Sequence, residues 1–407
     1  MILQPNTSSD YSQNKRNEEI GALTGIRGIA CFIVIFFHTS VGAHRPKMYN
    51  LARIAVSLFF ALSGFIMNLS NSKYKINKCK KCRNFYYAKR VAKIMPAYFF
   101  SLLISVYNIR CILNSSCNSI EIFINEESLN PNDLVTNPWT KYLHSTSIIL
   151  TPFFLQALLP ICNIWNCPSW SLSIEMICYF IFSFLPIFSD DEHTKKKRLS
   201  LTIFCTIMTN ISWIVRVFFL SELYKYDALY YIIDNATYFN IFFRMWEFLS
   251  AALLTSYYSS WIRVKKTYGL CFNIFMQSIP YIFFLVWFLL PSNSKILSFG
   301  PFFILEYFTI VSLTYHPSYL LNKILTSPLA IFLGKISYST YITHIVFLTI
   351  LWDLNLDIKI YQTVCFILVY FIGWLTQKYI EEPYYTKIRN YFQSTSKILC
   401  ICDVIET

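Results

Sequence analysis

Residues 51–70 read LARIAVSLFFALSGFIMNLS, residues 71–93 read NSKYKINKCKKCRNFYYAKRVAK, and residues 94–109 read IMPAYFFSLLISVYNI. An apolar helix of about 20 residues covers the hydrocarbon core of a bilayer. The first block has that length and one charge, Arg53. The middle block holds Lys73, Lys75, Lys78, Lys80, Lys81, Arg83, Lys89, Arg90 and Lys93 with no acid. Two apolar runs joined by a purely basic link read as two spans connected on the cytosolic side, where Lys and Arg are retained. The amino terminus lies two spans upstream and falls on the same side.

Working outward, further apolar runs occur near 23–43, 91–109, 170–188, 199–220, 238–258, 269–290, 296–315, 329–350 and 360–377. With 51–70 they predict an all-α polytopic bundle of about ten transmembrane helices. The stretch 143–160 is apolar but short and contains two prolines. If it crossed fully, Lys195–Arg198 would be stranded outside, so it reads as re-entrant or interfacial. Lys265, Lys266, Lys378, Lys387 and Arg389 then fall on the cytosolic side with both termini, while Arg45 and Lys47 dissent. The expected organisation is a cytosolic tail over 1–20, a membrane domain over 21–390 with an external loop at 111–141, and a cytosolic tail over 391–407. The first twenty residues are polar, so no removable signal peptide is expected.

Composition agrees. Hydrophobic residues make up 55% of the 407 and charged residues only 14%, too few to wet a soluble surface of this size. The net charge of +13 comes from clusters between spans, which report orientation and give no reason to expect a nucleic-acid partner. Cys79 and Cys82 form half of a metal-site spacing with no second half nearby. Cys111 with Cys117, and Cys162 with Cys167, fall in loops placed outside the cytosol, where disulfides form readily.

Ionisable groups inside spans are costly and mark function by default. Arg27 and His38 share the first span, and eleven residues at 100° bring them within about 20° of one face, roughly 16 Å apart along the axis. Glu175 follows Trp170, Ser171 and Ser173 in the fourth span, and a carboxylate at that depth calls for a cation or protonated His. Arg244 and Glu247 are three apart and suit a neutralised ion pair on one helix face. Tyr338, Tyr341 and His344 recur every three residues and line one side of the ninth span.

These segments together resemble the acyltransferase-3 family of membrane O-acyltransferases, in order and over nearly the whole chain. Its LRGLA…FH helix is matched by Leu23 to His38, and VDLFFVLSGF by Val56 to Phe65. The basic FY..RR..RI.P signature is matched by Phe85, Tyr86, Arg90, Lys93, Ile94 and Pro96, and WSLSVE by Trp170 to Glu175. R..EF..G is matched by Arg244, Glu247 and Phe248, LG.ISYS.Y..H by Leu333 to His344, and E.P by Glu381 to Pro383. Four positions depart: Ser57 stands for Asp, Lys93 for the second Arg, Ala251 for Gly and Met176 for a second Glu. Ser57 removes a buried carboxylate, and Lys93 keeps the charge but loses the guanidinium fork. The soluble esterase-like domain of some family members is not expected.

The resemblance implies transfer of an acyl group, commonly acetyl, from acyl-CoA to a hydroxyl of a carbohydrate or lipid-linked acceptor. In that reading acyl-CoA is a co-substrate, and no tightly bound cofactor or metal is expected. Arg90 and Lys93 hold its phosphates at the cytosolic face, Arg27 extends the basic lining, and His38 acts as general base oriented by Glu175. Trp170, Ser173, Arg244, Glu247, Tyr338 and His344 complete the candidate site. Direct transfer and an acyl-His intermediate are both open. The alternatives are a non-catalytic descendant that binds lipid or protein, and a small-solute transporter, which predicts flux without CoA dependence.

Overall fold

The computed structural model describes residues 7–39, 46–71, 76, 80–109, 138–159, 165–187, 191–223, 237–263, 270–289, 301–315 and 318–391. Among these, regular structure is entirely helical. The helices are α1 (Thr7–Thr39), α2 (Pro46–Asn71), α3 (Lys80–Ile104), α4 (Pro138–Leu150), α5 (Ser169–Phe182) and α6 (Glu192–Leu223). They continue with α7 (Ile241–Arg263), α8 (Leu270–Leu289), α9 (Pro301–Tyr315), α10 (Tyr319–Leu325), α11 (Pro328–Trp352) and α12 (Ile358–Thr376).

Each of the ten predicted spans overlaps one of these helices. Among the described residues seven helices are long and apolar enough to cross a membrane, and Ser169–Phe182 and Phe302–Thr314 are shorter apolar helices. The chain is an integral membrane protein. Its outer surface supports this: Leu199, Ile203, Ile207, Ile211, Ile214 and Phe218 on α6 are all exposed. Their spacing of three or four residues makes one apolar stripe, which water would not tolerate but lipid tails cover. Residues 111–137 of the expected external loop, Cys79, Cys111, Cys117, Cys162 and the tail beyond 391 lie outside the described residues.

The stretch 143–160 does not form one straight helix. α4 ends at Leu150, before Pro152, and two single 3-10 turns come next, Thr151–Phe153 and Gln156–Leu158. Between them Phe154 has φ 59°, a left-handed conformation that bulky residues rarely adopt. Three contacts hold it. The Ser173 hydroxyl donates to the Phe154 carbonyl at 2.6 Å, the Ala157 amide donates to Ser173 Oγ at 3.2 Å, and the Phe154 ring stacks on Tyr98 at 4.0 Å. Gln156 Nε2 reaches the Ser169 carbonyl at 2.8 Å. Buried backbone polar groups at a break in a membrane helix need such partners.

The core is organised around α1, which packs against α11 and α2, while α2 packs against α7 and α11 against α12. Small residues set these distances, as expected where packing rather than water exclusion joins helices. A Cβ on Gly334 of α11 would lie 1.9 Å from the Thr24 carbonyl oxygen of α1, and one on Gly64 of α2 would lie 2.2 Å from that of Phe248 on α7.

Candidate functional site

The α1–α11 seam carries two groups of polar residues, a near one beside Gly334, close to the start of α11, and a far one at His38, close to the end of α1. At the near end Arg27 turns towards α11, and its Nη2 donates to the Gly334 carbonyl at 2.7 Å. Its Nε is buried and has no hydrogen-bond partner among the described residues. A cavity of about 330 Å³ opens beside it, lined by Gly21, Thr24, Arg27, Lys93, Ile331, Lys335 and Gln377. Three cationic side chains from three helices thus face one space, which suits a multiply charged anion.

Among the described residues a carboxylate, Glu381, pairs with one of these cations. α12 continues into a π-helical turn, Gln377–Glu381. Such a turn inserts an extra residue and rotates the facing of the residues after it. Glu381 is consequently only 1% exposed and forms an ion pair with Lys93. The Ser339 hydroxyl donates to its other oxygen at 2.6 Å, while Glu382 faces outward and accepts from Gln377 Nε2 at 3.0 Å. Tyr338 donates to the Ile94 carbonyl at 2.7 Å, tying α11 to α3 beside Lys93.

At the far end His38 meets His344, with ring centroids 5.1 Å apart. His344 is fully buried, and its Nδ1 lies 2.6 Å from the Tyr341 carbonyl. Tyr341 is positioned by the Ser171 hydroxyl, 3.1 Å from its own, and by the Phe59 ring at 5.9 Å. Arg27 and His38, eleven residues apart on one face, therefore both address α11.

Glu175 does not join His38. It accepts from Tyr179 at 3.0 Å, whose hydroxyl is also 2.9 Å from Ser63 Oγ, and the Arg90 guanidinium lies 5.6 Å from the Tyr179 ring centre. The expected contact between Glu175 and His38 is absent among the described hydrogen bonds. The reason is local: a tyrosine one turn along the same helix satisfies the carboxylate and draws it towards α2 and α3. Arg90 stacks within this group and does not line the cavity with Lys93 and Arg27. Ser173 braces the 151–158 turns and makes no described hydrogen bond with either end of the seam.

A third group surrounds Tyr238. The guanidinium carbons of Arg53, Arg244 and Arg216 lie 4.4, 5.1 and 5.6 Å from its ring centre. Arg244 pairs with Glu247 at 3.0 Å, and Trp170 packs on Tyr238 at 5.0 Å. Ser57 donates to Glu306 of α9 at 2.9 Å, so a carboxylate is retained beside this position although α2 carries none there. Cys167 is disulfide-bonded, to a residue outside the described set.

Lys335 and Gln377 escape a reading of the sequence, and so do the burial of Glu381, which the E.P match names without placing, and the pairing of His38 with His344. The one signal for Lys335 is its position one residue beyond Gly334, on the helix face that approaches α1.

A family profile described as an acyltransferase domain matches residues 20–377. A relative from Staphylococcus aureus strain COL, named "Putative O-acetyltransferase", is 23% identical over 389 residues, covering 93% of this chain and 59% of the relative. The O-acetyltransferase OatA of Staphylococcus aureus strain NCTC 8325 is 22% identical over 330 residues, covering 79% of this chain and 49% of that protein. The chain thus spans about half to three-fifths of the length of these curated relatives. No solved structure matches it.

Proposed function

The chain belongs to the acyltransferase-3 family, and from that premise we propose that it transfers an acyl group, acetyl above all, from acyl-CoA to a hydroxyl of a carbohydrate or lipid-linked acceptor. The observation that carries this reading is the cavity in which Arg27, Lys93 and Lys335 converge. With the basic link 71–93 on the cytosolic side, the cavity faces the compartment that supplies acyl-CoA, and its three cations suit the donor's phosphates. The α1–α11 seam leads from there to His38, so an extended pantetheine arm lying along it brings the thioester to the imidazole.

His38 removes the proton from the acceptor hydroxyl as its oxygen attacks the thioester carbon. The C–S bond breaks, the electron pair leaves on sulfur, and the proton passes from His38 to the thiolate to give free CoA. Arg90 and Glu175 steady the wall formed by α3 and α5 through Tyr179. Both termini are cytosolic in this arrangement, and the acceptor approaches from the opposite side.

The test is thiol release from acetyl-CoA by purified protein in detergent, with a panel of hexose and N-acetylhexosamine glycosides as acceptors. Wild-type turnover that is lost in His38→Ala supports the reading. A folded His38→Ala protein with undiminished turnover overturns the base assignment, and folded wild type that neither binds nor turns over acetyl-CoA overturns the function.

A further inference from the structure

We propose that His344 is a positioning residue for the acyl transfer, fixing the His38 imidazole and sharing the proton that His38 acquires. This deepens the reading above and rests on it. Three observations carry it.

The Nδ1 of His344 lies 2.6 Å from the Tyr341 carbonyl. A carbonyl only accepts, so Nδ1 bears the proton and Nε2 presents a lone pair. That Nε2 is buried and has no donor among the described residues. A buried acceptor left unmet is destabilising, so this one calls for an N–H or O–H that arrives during function. Finally, the adjoining polar ring is His38, 5.1 Å away between centroids and tilted by 46°.

The proposal requires a turn of the His38 ring that sets its N–H onto His344 Nε2. Catalytic hydrogen bonds are commonly long before substrate binds and close in the reacting complex. Once formed, the bond leaves the other nitrogen of His38 with the lone pair, facing the acceptor. When the acceptor hydroxyl gives its proton to that nitrogen, His38 becomes a cation whose second N–H is held by a neutral imidazole. The oxygen forms its bond to the acyl carbon, the C–S bond breaks, and the same proton leaves His38 for the thiolate. Both rings end neutral. The order is Tyr341 carbonyl, His344, His38, acceptor hydroxyl: a base oriented by a third group, with a neutral ring in the place often held by a carboxylate.

The test compares His344→Leu, which removes the acceptor, with His344→Gln, whose amide N–H can reach the Tyr341 carbonyl while its oxygen faces His38. Each is assayed for thiol release from acetyl-CoA with the glycoside panel, beside His38→Ala, with thermal unfolding in detergent as the folding control. The expected result is a kcat loss of roughly 10- to 100-fold in His344→Leu, the worth of a hydrogen bond to the His38 cation, an unchanged KM for acetyl-CoA, and substantial recovery of kcat in His344→Gln. Packing damage alone would not spare KM and respond to an amide. Wild-type kcat in folded His344→Leu, or no recovery in folded His344→Gln, overturns the proposal while leaving His38 as base. Full turnover in His38→Ala overturns the underlying reading, and this inference with it.

Discussion

Gly334 of α11 lies so close to Thr24 of α1 that an added methyl group would fall 1.9 Å from the Thr24 carbonyl oxygen and 2.6 Å from its carbon. The obstructing atoms are backbone, so no rotamer change relieves the overlap. Gly334 also supplies the carbonyl that binds Arg27. One residue thus sets both the helix separation and the place of the guanidinium.

Gly334→Ala is expected to destabilise the bundle by about 1–3 kcal/mol, the usual cost of overpacking, and to lower turnover as Arg27 moves. Thermal unfolding in detergent and thiol release check the two effects. An alanine variant with unchanged melting and turnover would mean that α1 and α11 separate without cost.

Lys335→Ala is expected to raise the KM for acetyl-CoA roughly 10- to 100-fold, the worth of a lost charge-assisted hydrogen bond, with little change in kcat. Its distance from the histidines is the reason for the split. An unchanged KM would remove Lys335 from the donor site. The same titration in rising salt should weaken binding in wild type more than in the variant.

Ser173→Ala separates a brace from a catalytic group. Its hydroxyl serves Phe154 and Ala157, so its loss is expected to cost about 1–3 kcal/mol without altering kcat in the folded fraction. A specific kcat loss in protein of wild-type stability would instead place Ser173 at the reaction.

Ser57→Asp restores the family residue but sets a second carboxylate against Glu306, 2.9 Å from the present hydroxyl. Two buried carboxylates at that range repel or must share a proton. The variant is expected to melt below wild type, and Ser57→Asp with Glu306→Gln to recover. No recovery would show that Glu306 is not the cause.

The spans are legible in the sequence because a bilayer imposes its thickness on the chain, and apolar runs such as 51–70 register that directly. The break at 151–158 is legible from the prolines of 143–160. Within one helix, the spacings of Arg27 with His38 and of Arg244 with Glu247 also identify shared faces. Register between distant helices stays hidden. Arg27 bonds Gly334 and His38 meets His344 across about 306 positions, and no local pattern encodes that offset. Polarity and depth alone pair Glu175 with His38, yet a tyrosine four residues along already answers the carboxylate. Glu381 is hidden for another reason: a π-helical turn changes which neighbouring glutamate points inward, and helical periodicity assumes no such turn.

With acyl-CoA as the donor proposed above, that inward glutamate would make the donor exchange with a resident counter-ion rather than fill a bare cationic site. An incoming phosphate must take Lys93 from a carboxylate tethered beside it, and after the reaction the carboxylate is already in place to reclaim the lysine. Competition of this kind weakens affinity for donor and spent CoA alike. Under that reading the consequence is a shorter residence time: the protein's own anion displaces spent CoA, and the next donor meets a cavity free of product sooner.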